Sequence, residues 1–149
     1  NMRFRVPELK EEFRSEPRYR PVVILTSNSE RDLPEPFLRR CVYYHIPFPA
    51  DEELRRIIRN RLGSEGHLSG ARLDRALALF GEIRKRARKK RPGTAELLGW
   101  LQVLDRLELD PDPQRLSAEQ RELLSISYTV LLKAKDDLER EQETLAGGG

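Results

Sequence analysis

At 149 residues and a formal net charge of +3, the chain is long enough for one ordinary domain or two small ones with a real core, and its charge demands no nucleic-acid partner. Charged residues make up 36% and hydrophobic residues 38%, which points to helices with narrow apolar faces rather than a thick sheet core. Cys41 stands alone, which excludes an internal disulfide and fits a reducing compartment, and no apolar run approaches the roughly 20 residues that span a bilayer, so a cytoplasmic protein without membrane association is expected.

The first twenty residues are polar and mixed. "FRVPE" reads as a short extended piece and "LKEEFRSEPRYR" as a charged connector. The Asn before Met2 reads as a tag remnant, and Met2 itself as either a true start or an internal methionine of a longer parent. Pro21 then opens "VVIL", a non-alternating β-branched run of the kind that forms a strand buried on both faces, as in a parallel sheet. Asn28, Ser29, Asp32 and Pro34 supply turn chemistry. "PEPFLRR" makes one helical turn with proline early, and "CVYYHIPF" (residues 41 to 48) reads as a second short strand.

Beyond residue 50 the period changes to that of helices. Asp51 is the expected N-cap of a helix whose stripe is Leu54, Ile57, Ile58 and Leu62. "GSEGHLSG" is a flexible link. A second helix runs from Ala71 to about Lys89 with Leu73, Leu77, Phe80 and Ile83 inward. Pro92 and Gly93 break it, and Thr94 caps a third helix with Leu97, Leu98, Leu101 and Leu104 on its inner face. Ser117 with Gln120 forms a capping box for a last long helix to about Leu145, and Gly147 to Gly149 are an expected disordered tail. The fold class expected is mostly α, a partial α/β remnant over residues 1–50 followed by a helical bundle over 51–146.

Few features suggest chemistry of their own. His45 and His67 with one cysteine give no spaced metal-ligand cluster. Cys41 and His45 share a strand face but stand about 13 Å apart in extended chain, so Cys41 reads as a small buried hydrophobe. The acidic residues show no pairing distinct from helix-surface charge. "RKRARKKR", residues 84 to 91, holds seven cations in eight positions. It reads first as the solvated end of a helix favoured by the macrodipole, with contact to a partner or nucleotide, or to nucleic acid, as the alternatives. No aromatics interleave with it, which disfavours single-strand stacking.

The stretch "VVILTSNSERDLPEPFLRRCVYYHIPFP" resembles the second half of the nucleotide-binding core of AAA+ ATPases, most closely the MoxR-like branch. There a strand ends in Thr-x-Asn, a Leu-Pro element follows, and an arginine precedes a strand leading into a helical lid. "FGEIRKRARKKRPGTAELLGWLQVL" and "LLSISYTVLLKAKDDLE" are similar to that branch's lid. The resemblance implies that Asn28 is the sensor-1 residue, which orients the attacking water and contacts the γ-phosphate. It implies that Arg40 is an arginine finger reaching into a neighbouring subunit's site, with Arg39 the alternative within the pair. A lid arginine normally contacts nucleotide from the start of the third lid helix, but Glu96 occupies that place. Either Arg91 substitutes, or the lid makes no nucleotide contact through that helix, and the second reading is preferred.

No G-x-x-x-x-G-K-[ST] loop and no apolar strand ending in Asp-Glu occurs in the 149 residues, so no element here cradles the β and γ phosphates or sets the metal. The resemblance implies a complete enzyme that binds ATP and Mg2+, assembles as a homo-oligomeric ring (a hexamer), and remodels a client protein or inserts a cofactor or metal into it. This chain alone is expected to be inactive, with none of those ligands bound. The alternatives are a non-catalytic helical interaction module and nucleic-acid binding through residues 84 to 91.

Overall fold

A computed structural model describes residues 3–6, 8, 10–14, 22–27, 33–63 and 70–147. The chain divides into two compact units, Asn1–His45 and Ile46–Gly149.

In the first unit, β1 (Arg3–Val6) pairs antiparallel with β2 (Glu11–Arg14), with Phe4 opposite Phe13. The "FRV" piece is thus a strand, and its partner lies in what the sequence presented as a charged connector. The two strands expected downstream are not formed. Residues 22–27 and 41–50 carry no sheet pairing, and their apolar side chains lie open: Val22 is 90%, Ile24 82%, Val42 100% and Ile46 75% exposed. The physical reason is that a strand is held by backbone partners along its edges, and the described residues supply none for these two runs. Cys41 is exposed for the same reason rather than buried. Between them, α1 (Glu35–Leu38) is the single turn anticipated, with Pro36 in its first positions.

The second unit is helical: α2 (Asp51–Leu62), α3 (Gly70–Arg86), α4 (Thr94–Arg106), a 3-10 turn (Pro113–Arg115), α5 (Ala118–Leu131) and α6 (Lys135–Gly147). Helices α2 to α5 start close to their sequence signals, although the residue capping α2 is Ala50 rather than the expected Asp51. Asp51, Glu52 and Glu53 crowd the first turn of α2 where the macrodipole favours them. That helix ends at Gly63, whose φ of 81° a side chain would disfavour. Ser117 and Gln120 form the reciprocal box at α5, with Ser117 N–H donating to Gln120 Oε1 at 3.0 Å and Gln120 N–H to Ser117 Oγ at 3.2 Å. At α4 the cap residue is Gly93 rather than Thr94, and Gly93 N–H donates to the Glu96 carboxylate at 3.0 Å.

The core is the meeting of the predicted stripes. Leu54 and Ile58 of α2, Phe80 and Ile83 of α3, and Leu97, Trp100, Leu101 and Leu104 of α4 are buried with Leu124, Tyr128 and Leu131 of α5. Each large side chain so enclosed stabilises the fold by about 1.5–3 kcal/mol. Trp100 is wholly buried, and its indole N–H donates to Ser127 Oγ at 2.9 Å while that hydroxyl donates to the Leu124 carbonyl at 2.6 Å. Gly99 lets α5 come close, since a Cβ there would lie 3.3 Å from Val130 Cγ1.

The end of α4 is closed by a left-handed residue, Glu108, with φ of 52°. Leu109 N–H then reaches back to the Leu104 carbonyl at 3.0 Å. Arg72 of α3 donates to the Leu104 and Leu109 carbonyls, and Arg75 grips Asp110 with two bonds of 3.0 and 2.6 Å.

The expected long last helix is two. After Leu131 the chain turns at Leu132, φ −105° and ψ 119°, and restarts at Lys135. Leu131 and Leu132 are both buried. Gly147 closes α6, while Gly148 and Gly149 lie outside the described residues.

Candidate functional site

The residues expected to meet a γ-phosphate belong to the first unit. Asn28 lies outside the described residues. Arg40 is exposed at the end of α1, and its Nη1 donates to the Pro36 carbonyl at 3.0 Å. Arg39 pairs with Glu35 one turn back, both side chains largely in solvent. Of the two arginines, the one holding a carboxylate is Arg39. Arg40 rests on a neutral carbonyl, a contact that leaves its charge uncompensated.

The basic run is more tightly organised than a solvated helix end. Arg86 grips Glu141 of α6 with two bonds of 2.8 Å, and that carboxylate is only 4% exposed. Asp137, 1% exposed, receives the backbone N–H groups of Arg88 at 3.1 Å, Lys89 at 2.8 Å and Lys90 at 3.4 Å, and Arg140 Nη1 at 3.1 Å. Burial opposes the charged form of Asp137, but the three backbone donors and Arg140 outweigh it and hold the carboxyl at about 2. Two acidic residues therefore do more than decorate a helix surface. One turn apart on α6, they fasten that helix to the end of α3 and the loop after it. The signal available in the sequence was their four-residue spacing in "DDLERE", matched to a run of opposite charge.

Within the helical unit, the N-terminal turn of α2 and the C-terminal half of α3 border an open cleft of about 340 Å3. Its apolar wall is Phe48, Leu54, Leu77 and Phe80, with the two phenyl rings 6.1 Å apart between centroids. Its charged rim is Asp51, Arg84, Lys85 and Arg91. Arg84 lies flat on Phe48, its guanidinium carbon 3.7 Å from the ring centroid, and donates to the Pro92 carbonyl. Burial, and then the neighbouring Arg91 charge, push the Arg84 pKa down. Lys85 reaches Glu82 at 3.0 Å. Glu96, at the place where the resemblance puts a lid arginine, is the acceptor for Gly93 N–H.

Among the described residues no group of three metal-ligating side chains occurs, and no helix is long and apolar enough to cross a membrane. His45 is exposed, and His67 lies outside the described residues. No family model, curated protein or solved structure matches the chain.

Proposed function

We propose that this chain is the C-terminal portion of a AAA+ ATPase of the MoxR-like kind, the end of its α/β core followed by its lid. The observation that carries the reading is the ordered set of features in residues 22 to 48, placed directly ahead of a self-contained helical unit. The open apolar runs at 22–25 and 42–46 support it. Non-alternating β-branched runs belong in sheets covered on both faces, and a nucleotide-binding half would bring the neighbouring strands. In the complete enzyme Asn28 orients water at the γ-phosphate, and Arg40 reaches the adjoining subunit's site in a hexameric ring. ATP and Mg2+ are held by the phosphate loop and acidic strand end that these residues lack. The output is remodelling of a client protein or insertion of its cofactor or metal.

The test is to mix the chain with a polypeptide carrying the missing nucleotide-binding half. ATP turnover should appear, and Arg40→Ala should reduce it by about three orders of magnitude or more, as loss of an arginine finger does. Equal turnover with wild-type and variant chains would remove Arg40 from catalysis.

A second reading, a non-catalytic helical interaction module, draws on the closed core of Ile46–Gly149. It predicts partner capture without any turnover in that mixture. Nucleic-acid binding is the weakest of the three, because Arg84 and Arg86 are already engaged within the chain. Salt-sensitive retention on duplex DNA is its test.

A further inference from the structure

Helix α5 carries apolar side chains on two faces, and the fold uses one of them. Leu124, Ser127, Tyr128 and Leu131 are buried. On the other side Leu123 is 39% and Ile126 54% exposed, and Val130 is half-buried beside Gly99. With Glu119 before them and Lys133 after them, these residues follow one another at intervals of four, three, four and three. That is the heptad spacing by which one seam of a helix keeps facing a partner helix. The seam is apolar in the middle and charged at its ends. Glu119 stands exposed in the first turn of α5. Lys133 lies just past the helix, where its Nζ donates to the Thr129 carbonyl at 2.9 Å, so the ammonium group sits on the last turn. Among the described residues neither end charge is ion-paired.

We propose that this seam pairs with the same seam of a second copy of the chain, antiparallel, about a two-fold axis at Ile126. The charges select both the occupant and the direction. Reversed against itself, the seam sets Glu119 opposite the partner's Lys133 at both ends, Leu123 opposite the partner's Val130, and Ile126 opposite its own mate. A parallel pair would set carboxylate against carboxylate and ammonium against ammonium, which repel. Leu123 and Ile126 leave water at the contact, and that burial drives it. The contact is isologous, so it closes at two copies and cannot by itself build a ring. It asks for no nucleotide and is independent of the ATPase reading. A seam of about two heptads is short against a standard interface, so the pairing is weak and shows at high protein concentration.

The experiment is sedimentation velocity on the full chain across a dilution series, in which the average mass should move reversibly between that of one chain and that of two. Ile126→Glu puts two carboxylates on the axis and should weaken pairing by about tenfold or more. Ile126→Ser, a milder change at the same solvent-facing position, should also weaken it, with the circular dichroism of both variants unchanged. Glu119→Lys should weaken it by about fivefold, since two opposite-charge pairs become like-charge pairs. Adding Lys133→Glu to Glu119→Lys should recover the lost affinity, because the swapped charges again face their opposites. A chain that stays single at every concentration would overturn the proposal. Pairing indifferent to Ile126→Glu and Ile126→Ser would also overturn it, moving the contact to another surface such as the open runs at 22–25 and 42–46. A double variant no better than Glu119→Lys alone would overturn the antiparallel register.

Discussion

Replacing Asp137 by asparagine keeps the side chain's volume and removes its charge, and the cost can be worked from its four donors. Oδ1 receives Arg88 N–H and Arg140, while Oδ2 receives Lys89 and Lys90 N–H. An amide has one acceptor oxygen, so one pair of donors must face an NH2 group in a buried place. The carboxyl is held at about 2 against an ordinary 3.8, and roughly 1.4 kcal/mol per pKa unit makes the ionised form worth about 2–3 kcal/mol to the fold. Urea unfolding followed at 222 nm should therefore move its midpoint down by about 2 M at pH 7, given an m-value of about 1.2 kcal/mol/M. Because the folded pKa lies below the unfolded one, this stabilisation is present above about pH 4 and fades as pH falls toward 2. The difference between wild type and Asp137→Asn should shrink over that window. A gap under about 0.5 kcal/mol at pH 7, or one of the same size near pH 2, would refute the reasoning.

Other substitutions probe the helical unit. Ser127→Ala leaves the buried Trp100 N–H without its acceptor and should cost about 1–3 kcal/mol, read as a fall of several degrees in Tm; an unchanged Tm would mean that Trp100 had found another acceptor. Gly99→Val forces a branched side chain against Val130 and should destabilise by about 1–3 kcal/mol, with no loss in urea midpoint counting against a tight α4–α5 approach. Glu108→Gly relieves a left-handed residue at the end of α4 and should raise the urea midpoint by an amount equivalent to about 0.5–1 kcal/mol; a lower midpoint would show that the Glu108 side chain contributes more than its backbone strain costs.

The helical unit was legible because its rules are local. The stripes of α2, α3 and α4 and the Ser117–Gln120 box name their own faces and starts. The break after Leu131 was not, since neither glycine nor proline marks it. Its cause is tertiary: a second helix must begin there for Asp137 and Glu141 to reach the end of α3. The paired Asp136 and Asp137, acidic residues crowding a first turn, were the available hint. The strands at 22–25 and 41–48 were misread for the opposite reason. A β-prone run states a preference, but a strand exists only with a neighbour to pair with.

The bare apolar runs at residues 22–25 and 42–46 carry a consequence for handling the protein. Val22 to Leu25 and Val42 to Ile46 contain no Asp, Glu, Lys or Arg, and neither pairs in a sheet among the described residues. Segments of that composition recruit copies of themselves into cross-β stacks when nothing shields them. Concentrated stocks should thus cloud with time and brighten amyloid dyes, while a preparation trimmed to the helices stays clear.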